Sequence, residues 1–417
     1  MKKILIDGRF VGIGESMTRY TLEILRGILK LDRENQYTLL IRPCGRKSLD
    51  DYFAVIPAEA GIQGMDPRIK SEDDNRGKLI IQQYNNLTIE LLDIPHYSIN
   101  EQLKLLKYLN RKNFDLVHFI QFNHPIRYKG SFVVTVHDMT MVGYLRRANP
   151  IRRIAFTKVM ESAVANSKKI ITVSNTAKKE IVDFYKINPE KVEVVYNGLN
   201  HESYNSRVRE KSTEIKKVLE KFNIDKEYIL YTGMWKEHKN ILRLVYAFEK
   251  FSEMRLPDPK SRIIKLVLAG KADKDEKEIL TELGRINQSL NMKYNVREAI
   301  ITPGYIEESE LPLLYSGATA YVFASLSEGF GMPPLESMAC GTPVIASEVS
   351  AMPEVLGEAA IYFDPLDSTN IAEAMEEVTE NKNERVEIIK KGYDQVKKYD
   401  WSKTAEETLK VYKDILK

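Results

Sequence analysis

The sequence predicts an α/β protein of two Rossmann-like domains, each built on a parallel sheet. Three observations carry that expectation. At 417 residues the chain exceeds what one hydrophobic core usually supports, so two domains are expected. Short apolar runs alternate with stretches of three- and four-residue apolar spacing along most of its length, the mark of a doubly wound α/β fold. That series opens twice with a strand, a glycine turn and a helix, first at KILIDG and again at YILYTGMW.

In the first half, KKILIDG reads as a strand that ends in a turn holding Gly8, Gly12 and Gly14, and SMTRYTLEILRGILKL as the helix after it. These glycines do not fit the G-x-G-x-x-G spacing of a dinucleotide fold. YTLLIRP is the second strand. Residues 53–78 change character: two prolines, three glycines and clustered charges without a period describe a mobile surface insertion. Within it, VIPAEAGIQ resembles the translated product of a dispersed bacterial repeat element, and no function is assigned to it. The alternation resumes with a helix around INEQLKLLKYLNRK, a strand FDLVHFIQF and a strand SFVVTVHDM ending in His137 and Asp138. Strands of an open sheet present functional groups at their carboxyl ends, which places His137 for chemistry or for shaping the turn. The helix YLRRANPIRRIAFTKVMESAVANS carries Arg146, Arg147, Arg152 and Arg153 and precedes the strand KKIITVS. SNTAKKEIVDFY is a helix capped by Ser174 or Asn175, and KVEVVYNGLN closes the first half.

After a polar boundary, the second half runs YILYTGMW, helix ILRLVYAFEKFSE, strand IIKLVLAG, helix KEILTELGRINQSL, strand AIITPGY, helix ELPLLYSGA and strand AYVFAS. Strand PVIAS, a short helix near MPEVLG, strand AIYFDP and helix STNIAEAMEEVTE follow, with a last helix after Trp401. The domains expected are residues 1–204 and 205–398. The helix of 399–417 is expected to pack back toward the first.

Composition, with 43% hydrophobic and 29% charged residues, is that of an ordinary globular protein. No apolar run approaches the ~20 residues needed to cross a bilayer, and MKKILIDGRF reads as a first strand and not as a signal peptide. Cys44 and Cys340 provide neither a disulfide framework nor a metal spacing, which favours a reducing, cytoplasmic setting. The net charge of +3 is uneven: residues 1–200 hold 31 basic and 22 acidic residues, leaving 31 against 37 in the remainder. A basic first half suits an anionic partner there, such as an anionic membrane surface at its inner face, and equally describes a solvated surface.

The stretch with most chemistry is SEGFGMPPLE, Ser327–Glu336. Gly329 and Gly331 allow backbone angles and close approach closed to other residues, and Pro333 and Pro334 suit entry to a helix that Gly341 stops. A glycine loop before a helix N-terminus suits a phosphate. The carboxylates of Glu328 and Glu336 suit the hydroxyls of a sugar or ribose. The one D-x-D, Asp273–Asp275, lies in the charged run KADKDEKE and reads as solvated surface.

Across most of the chain outside 53–78 the order of these motifs resembles glycosyltransferase family 4, the retaining nucleotide-sugar transferases of GT-B fold. The strongest part is Tyr228–Pro365. PGYIEESELPLLYSGATAYVFASLSEGFGMPPLESMACGTPVIAS carries the paired-glutamate motif, and VTVHD, ITVSNTAKKEI and VVYNGLN match the first-domain landmarks. The resemblance implies two Rossmann-like domains whose parallel sheets face across a cleft, and it implies roles. Glu336 would hold the ribose hydroxyls and Glu328 the transferred sugar. The N–H groups of Gly329, Phe330 and Gly331 would lie near the diphosphate, and Tyr305 and Ile306 would hold the nucleobase, largely through backbone. In YTGMWKEHKN the turn begins at Gly233 and Lys239 matches the lysine of the family's basic pair. The arginine expected just after the glycine is replaced by Met234, with Lys236 the nearest substitute. His137 would lie near sugar and acceptor, and Gly12 and Gly14 in the loop approaching both. No metal or other cofactor is expected, and no nucleic-acid partner. YTGMWKEHKN looks closer to bacterial mannosyltransferases of the family, which implies GDP-mannose before UDP-glucose as donor. A glycan or lipid-linked acceptor in bacterial surface polysaccharide assembly would receive the sugar. A nucleotide-sugar epimerase of the same architecture and a binding subunit without turnover stay open as alternatives.

Overall fold

The computed structural model describes residues 1–54, 78–79, 84–140, 149–258, 260–272 and 277–417. Most of the expected insertion at 53–78, the arginines Arg146 and Arg147, and the pair Asp273 and Asp275 lie outside the described residues. The chain divides into two compact units, Met1–Gly198 with Trp401–Lys417, and Leu199–Asp400.

The first unit is built on β1 (Lys3–Asp7), β2 (Gln36–Ile41), β3 (Lys78–Leu79), β4 (Leu87–Leu91), β5 (Leu116–Phe119), β6 (Phe132–Thr135), β7 (Lys169–Thr172) and β8 (Val192–Val194). Their order in the sheet is β3-β4-β2-β1-β5-β6-β7-β8. Every pairing is parallel except β3 with β4. β5 and β6 are buried at every residue, as strands covered by helices on both faces must be. This explains why LVHF and FVVT read as continuous apolar runs and not as alternating ones. Ser174 caps the helix Asn175–Tyr185 by accepting the Ala177 N–H at 3.1 Å.

The helix Trp401–Leu416 belongs to this unit and packs on the helix Glu15–Leu31. His118 of β5 ties it down: the buried imidazole meets the Tyr412 hydroxyl at 2.5 Å and the Thr135 hydroxyl at 2.8 Å. Burial pushes the His118 pKa down to about 3, so this bridge is made by a neutral ring.

The second unit carries β9 (Glu227–Thr232), β10 (Ile264–Ala269), β11 (Ile300–Gly304), β12 (Ala320–Phe323), β13 (Val344–Ser347) and β14 (Ala360–Phe363). The order is β11-β10-β9-β12-β13-β14, parallel throughout. Leu266, Leu268, Val322 and Ile345 are fully buried in its core, against Phe248 and Leu244 of the helix Ile241–Arg255 and Met375 of the helix Ser368–Glu380.

Both sheets reverse their strand order once, between β1 and β5 in the first unit and between β9 and β12 in the second. Beyond the carboxyl ends of the strands at such a reversal, the connecting loops turn to opposite faces and leave a crevice. The loops after β9 and β12 hold Gly233–Lys239 and Ser327–Gly331, and those after β1 and β5 hold Gly8–Gly14 and Ile120–His124. Topology therefore collects most of the residues singled out in the sequence at the two reversal points.

Candidate functional site

In the second unit, β9 ends at Thr232 and the chain turns at Gly233 with φ of +141°. Met234 and Lys236 are exposed and Trp235 between them is buried. A short turn of 3₁₀ helix over Glu237–Lys239 then delivers the Lys239 ammonium to Glu328, with which it forms a direct ion pair. The Lys239 nitrogen also sits 5.3 Å over the Phe323 ring at the end of β12. A cation and a carboxylate from two separate loops thus meet at the strand-order reversal.

Glu328 is held by its backbone. The Ser350 hydroxyl accepts its N–H at 3.1 Å and donates to its carbonyl at 2.7 Å. Ser350 itself has a φ of +57°, an unfavourable conformation for a residue with a Cβ. Three residues on, Gly331 stands at φ +87° as N-cap of the helix Met332–Ala339, where a Cβ would lie 2.5 Å from the Met352 methyl. Only glycine fits there.

The helix is buried along most of its length. Pro333 and Pro334 occupy its first turn, so the N–H groups of that turn come from Met332 and Leu335 alone. The helix N-terminus therefore adds few N–H donors to those of the glycine loop. The Phe330 ring is buried at 5.3 Å from the Tyr399 ring, and the Ile306 side chain is buried also. Of these two residues the backbone can serve a ligand and the side chain cannot. Tyr305, in contrast, is exposed, with the Lys271 nitrogen 5.7 Å from its ring centre.

Glu336 lies one turn into the helix and is 4% exposed. The Tyr315 hydroxyl donates to its Oε2 at 3.0 Å. Tyr315 is 2.9 Å from the Thr232 hydroxyl, which is 3.0 Å from that of Tyr321. Sequence reading missed Tyr315, Thr232, Tyr321, Ser350 and Lys271. Lys271 was findable, since it follows a glycine at the end of a strand. Thr232 and Tyr321 become neighbours only through the pairing of β9 with β12, and Ser350 reaches Glu328 through that of β12 with β13.

In the first unit, Gly12 stands at φ +79°, where a Cβ would lie 2.8 Å from the Cys44 carbonyl oxygen. Its N–H donates to the Thr18 hydroxyl at 2.9 Å. Gly14 is the extended N-cap of the helix Glu15–Leu31, without a side-chain cap, and a Cβ there would meet nothing within 4 Å. Close packing explains the glycine at 12 and does not explain the one at 14.

His137, two residues beyond β6, donates its Nε2–H to the Ile120 carbonyl at 3.1 Å, and Tyr20 meets the ring edge-on at 4.6 Å. Burial holds the His137 pKa below its ordinary value, opposed by the Asp138 carboxylate and by the bond to Ile120. The ring is therefore a neutral imidazole with its Nδ1 unprotonated. The Asp138 carboxylate caps its own turn through the N–H and hydroxyl of Thr140.

Behind this loop, Arg9 is fully buried between Asp7, at 2.7 Å, and Glu101, at 2.8 Å. Burial opposes the Arg9 charge and the two carboxylates more than restore it. This triad braces the Gly8–Gly14 turn. Among the described residues no cluster of three His, Cys, Asp or Glu is arranged to hold a metal ion.

Residues 212–395 match the family model described as glycosyl transferases group 1, and residues 70–203 match the one described as glycosyltransferase family 4. The chain is 27% identical over 287 residues to O-antigen chain mannosyltransferase B of Escherichia coli, covering 67% of this chain and 70% of that protein. It is 26% identical over 279 residues to O-antigen chain mannosyltransferase RfbU of Salmonella typhimurium, covering 66% and 67%. Among solved structures, sucrose-phosphate synthase from Thermosynechococcus elongatus superposes with a TM-score of 0.69 at 17% identity, over 100% of this chain and 99% of that one. Anabaena HepE in complex with UDP and glucose does so at 0.68 and 15%, over 99% and 100%. The fold is the GT-B fold expected from the sequence.

Proposed function

We propose a reaction from one premise: the chain belongs to the glycosyl transferases group 1 family and is a glycosyltransferase. It moves a hexose from a nucleotide diphosphate sugar to a glycan or lipid-linked acceptor, with retention of the anomeric configuration. The observation that carries this reading is the ion pair of Lys239 with Glu328, set between a glycine turn and a helix N-terminus that also bears Glu336.

As the bond from the anomeric carbon to phosphate breaks, the departing diphosphate gains negative charge, and fixed positive groups aimed at it lower the barrier. Lys239 supplies one such group, the start of the helix Met332–Ala339 supplies partial positive charge, and the exposed Lys236 and Lys271 are further cations at the same strand ends. Glu328 takes the hydroxyls of the transferred sugar and Glu336 those of the ribose. Tyr305 and the Ile306 backbone face the nucleobase. The acceptor oxygen bonds to the anomeric carbon on the face the phosphate leaves, and its proton passes to the departing phosphate oxygen. In the first unit, the neutral His137 and the turn through Gly12 and Gly14 serve the acceptor. No residue is assigned as a metal ligand.

Mannose from GDP-mannose is the first donor, a choice supported by the activities named for the two curated relatives. The site for bacterial surface polysaccharide assembly would be the cytoplasmic face of the membrane. Among the described residues no helix is long and apolar enough to cross a membrane. The helix Pro150–Asn166 does present Ile151 and Ile154 to solvent at 78% and 54%, beside exposed Arg152 and Arg153. Apolar and cationic side chains together suit a peripheral contact with anionic lipid.

The test is to incubate the purified protein with labelled GDP-mannose or UDP-glucose, with and without bacterial lipid extract. Label should pass from GDP-mannose to the lipid fraction only when extract is present. Transfer from UDP-glucose instead would reassign the donor. Interconversion of free donor without acceptor would replace the reading by an epimerase, and donor binding without either would leave a binding subunit.

A further inference from the structure

Beneath the glutamate assigned above to the ribose lies a chain of three hydroxyls. Tyr315, from the helix Leu311–Gly317, is 1% exposed, and Tyr321 of β12 is fully buried. The Tyr315 oxygen lies 3.0 Å from Glu336 Oε2 and 2.9 Å from Thr232 Oγ1. Thr232 Oγ1 lies 3.0 Å from the Tyr321 oxygen.

Counting protons sets the direction. A carboxylate only accepts, and a phenol has one proton to give. Tyr315 spends its proton on Glu336, so at its other contact it accepts, and Thr232 is the donor. Thr232 has then given its proton, so it accepts from Tyr321, whose one proton is shared between Thr232 Oγ1 at 3.0 Å and the Thr232 carbonyl at 3.4 Å. The polarity is Tyr321 to Thr232 to Tyr315 to Glu336, each bond polarising the next. Burial, with the Glu336 charge second, holds the Tyr315 pKa well above its ordinary value, so the donor proton is kept.

A hydroxyl bonded to one carboxylate oxygen restricts rotation of the group, and with it the directions in which the other oxygen can receive hydroxyl protons. The chain also passes through Thr232, the residue directly before Gly233 and the turn that leads to Lys236 and Lys239. We propose that Tyr315 is a positioning residue for the donor nucleotide: its hydroxyl, held by Thr232 and Tyr321, orients Glu336 toward a vicinal diol and ties the ribose carboxylate to the phosphate turn. The proposal rests on the assignment of Glu336 to the ribose.

The test compares the binding of GDP and UDP with that of their 2′,3′-dideoxy analogues by calorimetry, in the wild type, Tyr315→Phe and Glu336→Ala. Tyr315→Phe keeps the ring and its packing at 5.4 Å against Tyr321 and removes only the hydroxyl. It should weaken binding of the preferred ribonucleotide about 5- to 10-fold, leave the dideoxy analogue unchanged, and raise the donor KM with kcat within about 2-fold. A packing role alone would weaken both nucleotides alike. If Tyr315→Phe fails to fold, Thr232→Val, which removes the donor to Tyr315 at equal size, should shift the ribonucleotide alone in the same direction.

The outcomes separate the two layers. If Glu336→Ala does not reduce the preference for ribose over dideoxyribose, the ribose assignment is wrong. If Glu336→Ala reduces it and Tyr315→Phe and Thr232→Val do not, the ribose assignment stands and the positioning role is wrong.

Discussion

Glu328→Ala is expected to lower turnover by about 10²- to 10³-fold, the scale on which removal of one preorganised electrostatic group acts, without raising the donor KM. The reason lies in the ion pair. Glu328 and Lys239 come from the loops after β12 and β9, and each side chain is largely removed from solvent, at 15% and 20% exposure. Removing the carboxylate deletes the group that holds the hexose at the reacting carbon. It also frees the Lys239 ammonium to pair fully with a diphosphate, so ground-state donor binding is kept or strengthened while the reaction slows. Steady-state kinetics with a thermal melt checks this. The fold should survive, because the backbone of residue 328 stays clamped by both bonds to Ser350. A kcat within about 3-fold of wild type, or a loss confined to KM, would remove Glu328 from the sugar.

Glu336→Ala is expected to weaken donor binding by about 10- to 100-fold, the worth of one or two charge-assisted hydrogen bonds. The carboxylate is buried on a buried helix, so its bonds to a ligand would form away from competing water. The Tyr315 hydroxyl left behind keeps Thr232 as a partner, which limits the structural cost. Unchanged affinity by calorimetry would take Glu336 away from the ribose.

Much of this was legible in the sequence, for reasons that differ by residue. Parallel strands buried on both faces write themselves as apolar runs, so IKLVLA and AYVF are found without a partner strand in view. SEGFGMPPLE announces a turn because Gly331 at positive φ and the prolines after it leave few other conformations. The helix Lys382–Val396 escaped notice because its apolar positions are few among charges, and β4, LTIEL, because it follows the irregular stretch from residue 53. The side-chain networks were not legible. Thr232 and Tyr321 are 89 residues apart and meet only because β9 pairs with β12 across the reversal of strand order. Ser350 gives no local signal either, since its role is to satisfy a backbone 22 residues away. Met234 in place of the expected arginine was visible, and Lys271 after its glycine could have been, but not the pairing of β10 with β9 that brings them to the same strand ends.

The measurement that bears most directly on the central claim is the configuration of the linkage formed from an α-linked labelled donor, read by NMR of the isolated product. Transfer from GDP-mannose by a site built on Lys239, Glu328 and a departing diphosphate predicts an α-linked mannosyl product. A β-linked product would contradict attack from the face the phosphate leaves and would require a base that this account does not assign.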